Sequence, residues 1–386
     1  MMIKTIADNI RKLFKGKNKK LASIVTSAIF IVILIVFILN ITVQRTYHSY
    51  SVSKTQPISN SSAKGYVTYN EDIIKYSEDG ITLMSNDLKT RWSATYSFKN
   101  PQVVTSKKYI AVADIGGKDI NLYDSKGNVR KIENTREICQ IELSDSGMVA
   151  VLTRQDMAYY ITVVNKTKKY IDIKTRIKED GYPIDMAYSP DSQKLVTSYM
   201  KVEDGVVNTY VTFYNFSEVG KNYESRIAKA ESYGSVMVPK VEFIDKNTVV
   251  IFSGERFIVY DMKETPEERF KCEKCTNTIK SVMCSDKYIG LITQDSTGDK
   301  NILKLYNKDG RKKLSKTFKF NYDNVELLKD DIILRNSTEA MVIRTSGKVK
   351  FQGELKEEVE YVLPYNNRDK FIFVTPQSID RIKFVG

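Results

Sequence analysis

The sequence predicts an all-β fold, a β-propeller of eight blades with seven as the alternative count, preceded by a single N-terminal transmembrane helix. Three observations carry this. From Gly65 onward, short alternating runs of Val, Ile, Tyr, Phe and Thr are separated by turn pairs such as Asp79-Gly80, Lys126-Gly127, Asp309-Gly310 and Ser346-Gly347, and no stretch keeps helical spacing for three turns. The runs also recur, as GITLMSNDLKT, DINLYDSKGNV, YITVVNKTKKY, YVTFYNFSEVG, RFIVYDMKETP, NILKLYNKDGR and AMVIRTSGKVK. Aligning them places Ser85, Tyr123, Val164, Tyr214, Tyr260, Tyr306 and Thr345 at equivalent positions, at intervals of 38, 41, 50, 46, 46 and 39, and a last copy, SIDRIKFVG, puts Phe384 next. Ahead of all this stands one uncharged run, residues 21–43.

Taken in order, residues 1–20 form a basic tail in which Lys4, Arg11, Lys12, Lys15, Lys17, Lys19 and Lys20 face only Asp8. At about 1.5 Å per residue, residues 21–43 make a helix of roughly 35 Å, enough to cross a hydrocarbon core of about 30 Å. The run is longer than a cleavable signal peptide needs, and Ile41-Thr42-Val43-Gln44-Arg45 lacks a small-residue cleavage pair, so it reads as an uncleaved signal anchor. The excess of positive charge before it puts the N-terminus inside and the bulk of the chain outside the cell membrane. Residues 44–65, rich in Ser and Thr and without apolar periodicity, read as a stalk. Residues 66–386 are left for the propeller.

Each repeat accommodates four strands, named a to d from the axis outward. The second reads 102–106, 109–114, 119–123 and 129–133. Eight units fit, yet the last, 357–386, has room for only three strands, and the one unassigned strand upstream is 66–69. An inner strand lines the core and is costlier to lack than an outer one. Residues 66–69 are therefore expected innermost in unit one, with the stalk covering the open edge of the last blade.

Composition removes several function classes. Of the formal charge of +13, most lies before residue 66, and beyond it 50 basic residues face 46 acidic ones, a solvated surface rather than a nucleic-acid footprint. The basic tail suits anionic headgroups instead. Cys272 and Cys275 form a C-x-x-C with Cys284 nearby and Cys139 remote, but no second pair or neighbouring His completes a zinc site. They read as surface thiols or an incidental disulfide. The single histidine, His48, lies in the stalk, so a Ser-His-Asp or Cys-His arrangement inside the propeller is excluded. No D-x-D-x-D-G loop is present for calcium, Trp92 is the lone tryptophan where quinone-cofactor propellers have many, and the WD dipeptide is missing. No metal and no cofactor are expected.

In a propeller the d-to-a and b-to-c loops share one face, and the a-to-b and c-to-d turns the other. Candidate ligand or partner residues are placed on the first face. They are Asp114, Gly116 and Gly117 in a b-to-c loop, Asp180 and Tyr182 in a d-to-a loop, and Tyr233 and Lys240 flanking the inner edge of unit five. On the other face, Ser189-Pro190-Asp191-Ser192 and Leu143-Ser144-Asp145-Ser146-Gly147 read as structural turns.

The order of anchor, Ser-rich stalk, then KYIAVADIGGKDINLYDSKG, DGYPIDMAYSPDSQKLVTSY, VTFYNFSEVGKNY, VPKVEF and IKSVMCSDKYIGL resembles an uncharacterised family of membrane-anchored, propeller-like proteins of Gram-positive anaerobes. The resemblance covers nearly all of the exported part and implies fold and location without naming a substrate. The function expected is a binding or scaffolding module at the cell envelope with a protein, peptide or glycan partner. An envelope hydrolase or lyase using Asp, Lys or Tyr on the channel face is the alternative.

Overall fold

Alternation of apolar residues resolves, in the computed structural model, into eight four-stranded sheets, each antiparallel throughout. The structure describes residue 24 and residues 27–34, 45–58, 63–165, 168–365 and 370–385. The chain divides into two compact units, Met1–Tyr47 and His48–Gly386. In the first, Ile24 and residues 27–34 are helical and exposed. Among the described residues no helix is long and apolar enough to cross a membrane. The rest of the predicted span 21–43, and the tail 1–20, lie outside the described residues.

The second unit is an eight-bladed propeller. The innermost strands are Ala63–Tyr69, Pro101–Thr105, Glu137–Leu143, Tyr182–Tyr188, Lys240–Phe243, Ile279–Cys284, Asn324–Leu328 and Tyr361–Pro364. In blade 2 the strands run Pro101–Thr105, Tyr109–Asp114, Asp119–Asp124 and Val129–Glu133, within one residue of the expected limits. The repeated position falls at the end of strand c. There Tyr123, Tyr214, Tyr260, Tyr306 and Phe384 are buried, filling the wedge where neighbouring blades diverge. Tyr123 packs with Ile74, Leu83 and Ile110 between blades 1 and 2, and Tyr260 with Phe213 and Val196 between blades 4 and 5. The core is thus a series of sheet-on-sheet contacts around the ring.

Tight c-to-d turns explain the glycine pairs Lys126-Gly127, Asp309-Gly310 and Ser346-Gly347, whereas Asp79-Gly80 lies in a b-to-c turn. In Asp124–Asn128, Oδ1 of Asp124 accepts the N–H groups of Lys126 and Asn128, and Gly127 takes φ +86° with the Trp92 ring against its Cα. A side chain there would be strained and would strike the indole.

Ring closure bears out the expectation that the segment before residue 66 covers the open edge of the last blade, and corrects its form from a simple stalk to a strand. Residues 66–69 do belong to the innermost strand of blade 1, but Ser49–Pro57 forms the outermost strand of blade 8, paired with Ser378–Val385. Composition hid it because most side chains on this edge face solvent and its one well-buried ring is Tyr50. Ser49 and Ser53 donate from Oγ to the carbonyls of Val385 and Arg381 at 3.0 and 2.9 Å, and Tyr50 stands edge-on to Phe351 and Phe373. The Tyr50 hydroxyl accepts the N–H of Lys356 at 2.8 Å. His48 belongs to the same edge, its Nδ1 3.1 Å from the Gln352 carbonyl oxygen of blade 7. From blade 7, Arg335 reaches the carbonyls of Val359 and Glu360, so the last two blades are tied on both sides.

Candidate functional site

The seven residues singled out in the sequence do not converge on one point. Asp114 Oδ1 accepts the Asn100 N–H at 2.8 Å, and Gly116, at φ +84°, donates to the Ile138 carbonyl while Gly117 accepts from the Ile138 N–H, both at 2.8 Å. A Cβ on Gly117 would fall 2.4 Å from Asp114 Oδ2. This loop laces blade 2 to blade 3. Asp180 closes a one-turn helix, Ile177–Asp180, by accepting the Arg176 N–H at 2.7 Å, and Tyr182 stands edge-on to Tyr159 with ring centres 6.4 Å apart. Tyr233 meets Tyr260 in a cleft between blades 4 and 5, their hydroxyls 3.4 Å apart. Lys240 alone of the seven lies in the wall of the central channel.

Around Lys240 the channel holds a group of polar side chains that motif reading missed. Gln140 Nε2 donates to Glu142 Oε1 at 3.3 Å, to Asp185 Oδ1 at 3.0 Å and to the Met186 carbonyl at 3.0 Å. Asp185 Oδ2 accepts the Val241 N–H at 2.9 Å, and Lys240 pairs with Glu242 at 2.6 Å. Three adjacent inner strands are therefore joined by side chains, since no backbone ladder links blades. A period-two signal was present: Gln140 and Glu142, then Lys240 and Glu242, are polar residues two apart on strands whose alternate positions are apolar.

Glu142, Asp185, Lys240 and Glu242 line a cavity of about 440 Å³ that extends to the a-to-b turns, where Ser106, Asp145 and Pro190 form its rim. The candidate loops were expected on the opposite face. Lys240 and Glu242 keep 42% and 36% of their side-chain surface, so water reaches the cavity. Burial, with the neighbouring charges of Asp185 and Glu242, pushes the Glu142 carboxyl up to about 8, against the Gln140 hydrogen bond. Asp185 is also raised by burial, opposed by the Val241 N–H and Gln140. Burial works against the Lys240 charge, but Glu242 beside it holds the ammonium above its usual range. Raised to about 8, the Glu142 carboxyl keeps its proton at neutral pH and can donate, beside Asp185 and the Lys240–Glu242 ion pair.

The cysteines form no site. Cys139, Cys272, Cys275 and Cys284 are free thiols, which overturns the disulfide reading, and Cys272 is buried in the apolar wedge between blades 5 and 6 rather than on the surface. Burial raises its thiol to about 11. Among the described residues no group of His, Cys, Asp and Glu is arranged to hold a metal ion.

Comparison with known proteins fits this architecture. The model of a family of unknown function, DUF5711, matches residues 43–384, and the chain belongs to that family. No curated protein matches. Among solved structures, BamB from Moraxella catarrhalis is similar with a TM-score of 0.55 at 11% identity, over 87% of this chain and 100% of that one. Hydrazine synthase of Kuenenia stuttgartiensis gives 0.49 at 12% identity over 77% and 99%. The Pan2 WD40 domain of Neurospora crassa gives 0.47 at 8% identity over 89% and 98%.

Proposed function

We propose that this member of a family of unknown function is a membrane-anchored propeller outside the cytoplasmic membrane, acting as a binding or scaffolding module of the cell envelope with its ligand seated at the channel mouth. The observation that carries this is the open cavity around Glu142, Asp185, Lys240 and Glu242, whose volume of about 440 Å³ falls in the range of small-ligand sites. Its lining is richer in acceptors than in donors. It therefore suits a ligand offering amino or hydroxyl groups, such as an amino sugar of an envelope glycan or the ammonium of a peptide. The anchor rests on the uncharged run 21–43 and the basic residues before it.

The test is to purify the full chain in mild detergent and titrate it with envelope glycan fragments and peptides. Binding to one of them, weakened at least tenfold by Asp185→Asn and by Glu142→Gln with the melting curve retained, is the expected result. No retained envelope component, together with no envelope phenotype on deletion, would sink the reading. For location, protease added to intact protoplasts should digest residues beyond 66 and spare an N-terminal tag.

A second reading is favoured by one observation. Glu142, protonated at neutral pH, and Asp185 share a single Gln140 amide, a pairing that could serve as acid and base in an envelope hydrolase or lyase. Turnover of a bound glycan or peptide that Glu142→Gln abolishes while binding persists would decide for it.

A further inference from the structure

Blade 4 differs from its neighbours on the face opposite the channel cavity. Its strands b and c, Lys194–Glu203 and Val206–Asn215, are ten residues each, whereas the inner strand pairs only as far as Met200 and the outer strand only as far as Thr209. Beyond those points, residues 201–208 continue as a two-stranded ribbon closed by Asp204 and Gly205, both at positive φ as a two-residue hairpin turn requires. One side of the ribbon carries a polar network, in which Glu203 accepts from Lys201, Asn208 and Tyr210 beside the exposed Val206. The other side carries the cross-strand pair Val202 and Val207, exposed by 61% and 39%. Together with Met237, exposed by 39%, they make a small apolar surface beside a strand edge unpaired among the described residues.

The apolar side leads into a cleft. Thr209 Oγ1 touches Met237 Sδ at 3.6 Å, and the Met237 carbonyl accepts the Gly254 N–H at 2.9 Å in the b-to-c turn of blade 5. That turn ends at Arg256, on the wall of a cavity of about 540 Å³ shared with Tyr233, Val236 and Tyr260. The acids of this wall are already engaged. Glu231 pairs with Lys229 and accepts from Tyr260, Glu255 pairs with Lys274 at 2.7 Å, and Glu268 with Lys271 at 3.0 Å. The Arg256 guanidinium has only the Cys272 carbonyl at 3.5 Å, and no carboxylate partner among the described residues. One positive charge is left over at the end of an apolar track, and the outer edge of Val206–Asn208 has no paired strand among the described residues.

We propose that ribbon and cleft form a docking surface for an extended polypeptide segment of a partner protein, which lays alternating apolar side chains on Val202, Val207 and Met237 and places a carboxylate on Arg256. An extended segment fits because a strand edge supplies backbone hydrogen bonds and the period-two surface selects every second side chain. Arginine binds carboxylate in a two-point fork, which fixes the register. The surface is separate from the channel, so either can fail without the other.

The test pans the full chain in detergent micelles against a displayed library of random nine-residue peptides and measures the enriched sequences by fluorescence anisotropy, with free and amidated C-termini. Enriched peptides should alternate apolar residues and carry an acid or a required free C-terminus. Val202→Asp and Arg256→Glu should each weaken them tenfold or more with the melting temperature unchanged, and Arg256→Glu should regain affinity when the peptide's carboxylate is replaced by a lysine. Binding unaffected by both substitutions, enrichment without the alternating pattern, or no enrichment would overturn the proposal. Should Val202→Asp prove unstable, Val202→Ser reports the same loss.

Discussion

Glu142 shows how much a single side chain depends on its neighbours. Its carboxyl binds a proton more tightly folded than unfolded, so between about pH 4.5 and 8 the native state holds the extra proton and stability falls as the pH rises. Glu142→Gln should flatten that slope and gain on the order of 4 kcal/mol over wild type at pH 8, with little difference at pH 4.5, in urea titrations across the range. Lys194 poses the converse case. Its buried ammonium meets Asp191 at 3.0 Å and the Lys246 carbonyl at 3.1 Å, in the very turn read as structural. Asp191→Ala should cost about 2–3 kcal/mol by stranding that charge, while the double change Asp191→Ala with Lys194→Met should recover most of it. For Cys272, whose thiol is buried and raised, iodoacetamide at pH 7.5 should modify it only after denaturation, as read by mass spectrometry.

At the scale of the element, the outer strand Ser49–Pro57 decides whether blade 8 has a free edge. It covers Ser378–Val385, which would otherwise present unpaired backbone to other chains. Tyr50→Ala removes the one ring that plugs this strand into the wedge against Phe351 and Phe373, and should cost about 3 kcal/mol. Amide exchange in Ser378–Val385 should accelerate far more than in blade 3. Equal acceleration in both would show that the strand is no separate latch. The polar positions of the inner strands work at this scale too, because adjacent inner strands share no ladder and Gln140 and Asp185 take over the task of joining them.

At the scale of the whole propeller, eight sheets around one axis bury apolar surface between blades, while the inner strands of blades 3, 4 and 5 turn polar side chains into the channel. That geometry makes the two ends of the channel unequal. One end opens into the acidic cavity, and the face opposite carries the projecting ribbon of blade 4. A protein with two such surfaces can hold two partners at once. If both proposals hold, a ligand of the channel and a peptide of the ribbon should bind together without competition in a titration of one against the saturated complex of the other.

Much of this was written along the chain. The period of the repeated hairpins determined the fold class and most strand limits, because local alternation and turn chemistry act over a few residues, while the choice of eight blades over seven came from the closed ring of sheets. The innermost place of residues 66–69 followed from counting strands. Counting strands also pointed the stalk at the open edge of the last blade, but only the tertiary structure decided that Ser49–Pro57 closes the ring as a full strand, since its pairing with Ser378–Val385 spans more than three hundred residues and leaves almost no apolar trace. It alone decided the site as well. Asp114, Gly116 and Gly117 are conspicuous in sequence because they shape a turn, whereas Glu142, Asp185 and Lys240 are scattered along the chain and acquire their chemistry by meeting across strands that no local pattern connects.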